Sequence, residues 1–148
     1  MKNIFDIQTQ EDFEAAALET FFYQYGHTKV YQKFVDYLKI SPAGMTFEKI
    51  PFLPIEMFKN HTVLDDSAKS DLYFQSSGTT QMSLSKHHIA DENLYRESIY
   101  RSFEKFIGKP EDFIFLGLLP SYLEKQHSSL IYMVDFLMQK SGKKENGY

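Results

Sequence analysis

The residues best suited to chemistry lie in one segment, 72–86, whose sequence is Leu-Tyr-Phe-Gln-Ser-Ser-Gly-Thr-Thr-Gln-Met-Ser-Leu-Ser-Lys. Gly78 carries no Cβ, so the backbone beside it can approach an anionic oxygen closely and present its amide groups. Lys86 adds a cation, and four uncharged hydroxyls can donate hydrogen bonds: those of Ser76, Ser77, Thr79 and Thr80. This combination predicts a phosphate-binding loop. The GxxxxGK[ST] pattern of a Walker loop is absent, however, and a solvated Ser/Thr turn between a strand and a helix is the alternative interpretation.

A second polar segment follows the apolar run 113–119 and begins with Pro120, Ser121 and Tyr122. Sheets of the α/β class bind ligands at the carboxyl ends of their strands. We therefore expect these three residues to border a ligand site. His127 precedes two serines, but no GxSxG elbow surrounds them, so a nucleophile arrangement is not predicted.

The adjacent residues His87 and His88 are a further candidate pair. Neighbouring side chains on a strand or helix point in different directions, and no HxxxH or carboxylate partner stands at ligand spacing, so we predict no metal site. Two interpretations remain. His88 lies beside the phosphates and the substrate, or the pair only leads into the following helix.

The first part of the chain, 1–60, is expected to be helical. Thr9 followed by Asp12 predicts a helix start, because the hydroxyl can accept an amide hydrogen while the acid lies at the positive end of the helix. This helix is expected to end near Gly26, and a second one to begin at about Thr28 and pack antiparallel to it. The expected inward faces carry Phe13, Ala17 and Phe21 on the first helix and Val30, Phe34, Tyr37 and Leu38 on the second.

The second part, 61–148, is expected to form an α/β layer. A brief strand at 72–75, a helix capped by Asp91, a strand at 113–119 and a helix at 129–139 follow in that order. The run 113–119 is continuously apolar, which is typical of a strand buried on both faces. The order of elements predicts a parallel βαβ-type layer after the helical lead. The expected inward residues are Tyr95, Ile99, Phe103, Phe106 and Ile107 on the first helix, and Leu130, Val134 and Leu137 on the second.

Length and composition limit the remaining possibilities. The 148 residues match one ordinary domain, 1–148, and carry a net charge of −4. With no cysteine, the chain has no disulfide, no thiolate metal site and no cysteine nucleophile. No basic footprint for nucleic acid is present, and the longest uncharged stretch, 113–123, is too short to span a bilayer. We therefore expect a cytoplasmic globular protein without a membrane span.

Several motifs together resemble a known family. Residues 74–80, FQSSGTT, resemble the phosphate-binding signature of the adenylate-forming superfamily. With SKHHIAD at 85–91 and GLLPSYLEKQHSSLIYMVDFL at 117–137, the chain resembles the acyl-protein synthetases, the LuxE-type long-chain-fatty-acid–luciferin-component ligases. Phenylacetate–CoA ligases are more distant relatives of that family.

The resemblance implies an ATP- and Mg²⁺-dependent ligase. Such an enzyme converts a fatty acid or another hydrophobic carboxylate into an acyl adenylate, and then transfers the acyl group to a thiol of an acyl-accepting reductase or carrier. The phosphates of ATP would contact residues 76–80, with Lys86 as an additional cation. Pro120, Ser121 and Tyr122 would border the acyl or nucleotide site.

Three departures from the family pattern affect this expectation. Gln81 replaces the family's usual glycine, and Leu84 replaces a lysine of the wider superfamily. The family's acyl-accepting cysteine, its adenine- and ribose-binding residues and its C-terminal lysine are not among these 148 residues. We therefore expect the N-terminal portion of such an enzyme, a partial adenylate-forming domain. Two alternatives are a truncated, non-catalytic homologue that acts as a binding or scaffold module, and acyl-CoA synthesis of the phenylacetate–CoA-ligase kind.

Overall fold

The computed structural model describes residues 3–76, 84–119 and 127–148. The chain forms two compact units, Met1–Lys69 and Ser70–Tyr148. The first unit is helical in its described part, and the second combines helices with strands, so the chain is mixed α/β. The helices are α1 (Gln10–His27), α2 (Lys29–Tyr37), α3 (Met57–Asn60), α4 (Glu92–Phe106) and α5 (Ser129–Ser141), and the strands are β1 (Tyr73–Gln75) and β2 (Lys86–His88). None of the described helices is both long enough and apolar enough to cross a membrane.

The start of α1 is held by a reciprocal cap. The Asp12 amide donates to Oγ1 of Thr9 at 3.1 Å, and the Thr9 amide donates to the Asp12 carboxylate at 3.3 Å. Two of the four amides that a helix leaves unpaired at its N-terminus are satisfied in this way. The predicted helix start is confirmed. The helix continues through Gly26 and ends at His27.

The core of the first unit is formed by Phe21, Tyr31 and Val35. The predicted inward face of α2 was correct only in part, since Phe34 packs against this core, whereas Tyr37 is 86% exposed and Val35 is the fully buried residue. Apolar residues stand side by side along α2, so the sequence pattern fits two neighbouring faces equally well. The long-range contacts of Tyr31 distinguish them. Its ring packs edge-on against Phe21, and its hydroxyl donates to the Pro51 carbonyl at 2.7 Å.

The core of the second unit joins β1 to α4 and α5, through Phe74, Ile99, Tyr132, Phe136 and Leu137. The Tyr132 hydroxyl donates to the Glu92 carboxylate at 2.7 Å and accepts from Nε of Arg96 at 2.8 Å. Burial, with the hydrogen bond to Glu92, raises the pKa of Tyr132 to about 12. This network fastens α5 to the first turn of α4.

The ends of α4 agree with the sequence pattern better than its inward face does. The Asp91 side chain accepts the amides of Asn93 and Leu94, so the predicted cap is confirmed. Three residues predicted to face inward are exposed instead: Phe106 (79%) and Ile107 (61%) at the end of α4, and Leu130 (49%) on α5. All three lie in or directly beside a terminal turn of their helix, where fewer neighbouring residues are available to cover a side chain.

The segment 113–119 was predicted to be a strand buried on both faces, and this was wrong. Alternate side chains are exposed, namely Ile114 (54%), Leu116 (78%) and Leu118 (104%). The opposite face packs Phe113 and Phe115 against Phe103 of α4. One face alone is therefore covered, and within the described residues the only ladder contact of the segment is a single parallel bridge between Leu116 and Gly147. A run of apolar residues does not by itself determine how many neighbours a strand has.

The described sheet also differs from the expected layer. Strands β1 and β2 pair antiparallel, with Tyr73 opposite His88, Phe74 opposite His87 and Gln75 opposite Lys86. The described residues contain no parallel ladder beyond the bridge to Gly147. Strand β2 itself was not predicted, because Lys-His-His has no apolar alternation and becomes a strand only through its pairing with β1.

Asn146 connects the last residues to the segment 113–119 and to α5. Its Oδ1 accepts the Phe115 amide at 2.8 Å, and its Nδ2 donates to the Met138 carbonyl at 2.9 Å. Two backbone hydrogen bonds follow at once, from Gly147 to the Phe115 carbonyl and from Gly117 to the Gly147 carbonyl. One amide side chain therefore satisfies backbone groups from two different elements.

Replacing this side chain tests the connection. Asn146→Ala leaves the Phe115 amide without this acceptor, while the Met138 carbonyl keeps the Gly142 amide as a donor, and we expect the free energy of unfolding to fall by about 1–3 kcal/mol. Urea titration followed by circular dichroism measures the change. Asn93→Ala is the matched control, since the exposed Asn93 side chain makes no hydrogen bond in the described part of the chain, and it should change stability by only a few tenths of a kcal/mol. Equal effects of the two substitutions would contradict the role given to Asn146.

Asp65 makes the first unit sensitive to acid. Its Oδ1 accepts the hydroxyl and the amide of Ser67 at 2.6 and 2.8 Å, and its Oδ2 accepts the Tyr23 hydroxyl at 2.5 Å. These hydrogen bonds, those of Ser67 first, lower the pKa of Asp65 from 3.8 to about 2. The ionised form is thus favoured by folding. Its stabilising effect is complete at about pH 5 and is lost as the pH falls through 3.8 towards 2.

We expect the urea midpoint of the first unit, followed through the amide signals of α1, to fall between pH 5 and pH 2.5. Asp65→Asn should lower the midpoint at pH 5 and flatten this pH dependence, because the ionised acceptor is removed. Asp6→Asn is the control, since the exposed Asp6 side chain accepts no hydrogen bond within the described residues. An Asp65→Asn chain with the full wild-type pH dependence would rule out this assignment.

Candidate functional site

The hairpin of β1 and β2 brings the two ends of the predicted phosphate loop together. Gln75 and Lys86 are direct cross-strand partners. One residue further, the Ser76 amide donates to the Ser85 carbonyl at 3.1 Å, and the Ser85 amide donates to Oγ of Ser76 at 3.2 Å. The Ser76 hydroxyl therefore accepts a hydrogen bond from the Ser85 amide, and among the described residues it donates none. Of the predicted phosphate contacts, Ser76 and Lys86 lie at this closed base, while Ser77, Gly78, Thr79 and Thr80 lie outside the described residues.

The direction of the β1 side chains is determined by Phe74. This residue is buried, and its ring packs against Tyr95 and Tyr132 with centroid distances of 5.2 and 5.3 Å. Successive side chains of a strand point to opposite faces. Burial of Phe74 therefore directs Tyr73 and Gln75 to the other face of the hairpin.

On that other face, a group of rings and a cation surrounds Tyr73. The ring of His127 stacks on Tyr73 with a centroid distance of 4.1 Å and an interplanar angle of 17°. Nζ of Lys86 lies 4.9 Å from the centroid of the same ring, and the His88 ring lies 5.6 Å away at a tilt of 39°. We call Tyr73, Lys86, His88 and His127 the Tyr73 cluster. It combines a cation with three aromatic rings at the base of the loop.

The second predicted loop ends at the same place. The Gln75 amide donates to the His127 carbonyl at 2.9 Å, and His127 directly follows the segment 120–126. Ser128, the next residue, caps α5 by accepting the Ile131 amide. The C-terminal end of this loop is thus joined to the base of the phosphate loop. The predicted residues Pro120, Ser121 and Tyr122 lie outside the described residues.

The two histidines of β2 occupy different surroundings. Both histidines belong to β2, and α4 begins at Glu92, so the pair lies on a strand that precedes the helix. Burial lowers the pKa of His87, and the neighbouring His88 adds to the effect. In the described part of the chain, Nδ1 of His88 is buried without a hydrogen-bond partner. A buried imidazole nitrogen without a partner is costly, so a donor or acceptor supplied by a ligand would be favourable there.

Two members of the cluster, Tyr73 and His127, were not among the predicted site residues. A signal for Tyr73 was available, since alternation around an inward Phe74 places Tyr73 on the same face as Gln75. His127 gave no comparable signal, because its place depends on a long-range backbone hydrogen bond. What the cluster and the base of the loop offer together is a hydroxyl, an exposed ammonium group and stacked rings. Such a surface can bind an anion that carries a flat or apolar group.

Ring stacking in the Tyr73 cluster predicts a measurable chemical shift. The His127 ring protons lie over the face of Tyr73, so we expect them upfield of those of His61, which has no ring contact in the described residues. Tyr73→Leu should move the His127 signals towards those of His61 in a proton NMR spectrum. Tyr100→Leu, the same substitution on α4, is the control and should leave them unchanged. His127 signals that coincide with those of His61 in the unsubstituted chain would contradict the stacking.

Comparison of the chain with protein-family models, curated proteins and solved structures found no match. The likeness of residues 74–80, 85–91 and 117–137 to acyl-protein synthetases therefore remains a prediction from the motifs. The hydrogen bond from Gln75 to His127 does not depend on that likeness. It joins the base of the first loop to the end of the second.

Proposed function

We propose that the second unit binds the phosphates of ATP, as the phosphate-binding part of an enzyme that activates a hydrophobic carboxylate as its acyl adenylate. By the resemblance to acyl-protein synthetases, the acyl group would then be transferred to a protein thiol. The observation that carries the proposal is the junction of the two loops at the Gln75–His127 hydrogen bond. An adenylate-forming reaction needs the nucleotide phosphates and the carboxylate in contact, and two polar loops that share one base supply neighbouring positions for them.

Lys86 supports this proposal despite the departure at Leu84. Its cross-strand partner Gln75 precedes Ser76, so the ammonium group belongs to the base of the loop. A flexible lysine stem allows the charge to reach a phosphate from a position two residues away from the superfamily's lysine. Ser76 contributes a hydroxyl whose acceptor side is already used by the Ser85 amide.

The chemistry assigned to these residues is electrostatic. Attack of a carboxylate on the α-phosphate develops negative charge on the equatorial oxygens, and donors fixed in advance stabilise it. The described residues contain no group of three His, Asp or Glu side chains placed to hold a metal. In the proposal, Mg²⁺ would be bound by the nucleotide phosphates and would neutralise part of their charge.

Calorimetric titration with ATP–Mg²⁺ tests the phosphate assignment. Gly78→Val should abolish binding because a branched side chain blocks approach to the backbone amides, and Lys86→Ala should weaken it about tenfold through loss of a charge-assisted hydrogen bond. Lys105→Ala, on α4, is the control for the removal of one positive charge and should bind as the unsubstituted chain does. Unchanged affinity in both Gly78→Val and Lys86→Ala would refute the assignment.

A second candidate is a non-catalytic binding or scaffold module. It is favoured by Gln81, by the missing superfamily lysine at Leu84 and by the absence of cysteine from the sequence. Pyrophosphate exchange separates the two functions, because exchange that depends on an added carboxylate requires adenylation, whereas a module binds ATP without it. Acyl-CoA synthesis is the third possibility. The acyl acceptor distinguishes it from acyl transfer to a protein, since it would consume coenzyme A in place of a protein thiol.

A further inference from the structure

Segment 113–119 has the side-chain pattern of a strand with one covered face. Its odd-numbered residues are half-buried, whereas Ile114, Leu116 and Leu118 are exposed. A strict period of two is typical of extended β-structure, in which successive side chains point to opposite faces. The three exposed aliphatic side chains therefore lie in one row on the outer face of the segment.

One edge of this segment is bonded to the last residues of the chain. The Phe115 amide donates to Oδ1 of Asn146 at 2.8 Å, and the Phe115 carbonyl accepts the Gly147 amide at 3.0 Å. The Gly117 amide donates to the Gly147 carbonyl at 2.9 Å. The backbone groups on this edge thus belong to odd-numbered residues, and they are satisfied.

The opposite edge is open. Backbone groups of successive residues in a strand point to opposite edges, so the amides and carbonyls of Ile114, Leu116 and Leu118 point away from Gly147. None of these groups has a hydrogen-bond partner among the residues that the structure describes. A row of such groups on an apolar strand is a template for pairing with a further strand.

The open edge is complementary to itself. Two copies that present the same edge to each other are related by a two-fold axis, so their strands run antiparallel. With the axis at Leu116, the two Leu116 residues face each other, and Ile114 of each copy faces Leu118 of the other. Alternate pairs in an antiparallel ladder exchange two hydrogen bonds, and all three of these pairs are of that kind. Every amide and carbonyl of the open edge is then satisfied on both copies.

Charge and side-chain type also favour a second copy as the occupant. The chain carries a net charge of −4, but segment 113–119 contains no charged residue that would repel its counterpart. The acidic residue before it, Asp112, lies at opposite ends of the two antiparallel strands. The three pairs bring aliphatic side chains into contact across the strands, which stabilises a sheet. A strand with polar side chains would pair with the backbone without making these contacts.

We propose that two copies of this chain form a reversible dimer by antiparallel pairing of segment 113–119, with Leu116 at the two-fold axis. The inference goes beyond the nucleotide site and does not depend on it. A single strand edge is a small interface, below the roughly 1,200 Å² of stable complexes, so the dimer dissociates on dilution. Because pairing uses the open edge of both copies, assembly stops at two.

Sedimentation velocity of the unsubstituted chain over a wide range of protein concentration tests the assembly. The mean mass should rise from one chain to two and stay there. Amide hydrogen exchange, followed by NMR, should slow at Ile114, Leu116 and Leu118 as the dimer forms, while the Gly117 amide, which is already bonded, should change little. A chain that stays monomeric at every concentration, or one that grows beyond two copies, would overturn the proposal.

A lysine at the axis tests the contact itself. Leu116→Lys places two ammonium groups directly opposite each other, and the dissociation constant of the dimer should rise at least about tenfold. Leu94→Lys, at an exposed position on α4, adds the same charge elsewhere and should leave the dissociation constant unchanged. Circular dichroism checks that both variants fold, as expected for exposed positions. A folded Leu116→Lys chain that dimerises as strongly as the unsubstituted chain refutes the proposal.

Two double variants test the register. In Ile114→Lys/Leu118→Glu, each lysine faces a glutamate of the other copy, so the dimer should persist. In Ile114→Lys/Leu118→Lys, like charges face each other, and the dissociation constant should be at least about tenfold higher than in the first double variant. The second double variant has the smaller net negative charge, so general repulsion between the chains would produce the opposite order. Equal dissociation constants, or that opposite order, would contradict the pairing of Ile114 with Leu118.

Discussion

Phe74 is buried between Tyr95 and Tyr132, and the geometry of the candidate site depends on that burial. A strand of three residues has little regular structure of its own, so its orientation comes from the one side chain it places in the core. With Phe74 inward, Tyr73 and Gln75 face the opposite side. Their cross-strand partners, His88 and Lys86, share that side, and a slip of one residue would exchange the two faces.

The register has a chemical consequence. It places one exposed lysine, one serine hydroxyl and a stack of rings at the base of the loop, and the Gln75 amide connects this base to His127. Hydroxyl and amide donors bind a phosphate without a high density of fixed positive charge. A chain of net charge −4 can therefore present an anion site without a basic surface.

The sequence predicted the features that depend on near neighbours. The two predicted helix caps were correct because capping is local. They are Thr9 with Asp12 on α1, and Asp91 with the amides after it on α4. The inward face of α2 was correct only in part because adjacent apolar residues allow two faces, and Phe21, far away in sequence, decides between them. Segment 113–119 was wrong for a related reason, since burial on both faces requires neighbours that its own residues do not specify.

The candidate site shows the same division. Ser76 and Lys86 were predicted from residue type and spacing within one short segment. Tyr73 and His127 were not, because they meet only when the hairpin and the start of α5 pack together. Strand β2 was missed as well, since its histidines carry no strand pattern until β1 pairs with them.

The central claim is that the two loops form one binding site. Titration of the labelled chain with ATP–Mg²⁺, followed at the Ser85 and Ser128 amides by NMR, tests it most directly. We predict that both amides shift along curves that give a single dissociation constant, because one ligand contacts the shared base. Movement of only one of the two amides, or two different dissociation constants, would contradict the claim.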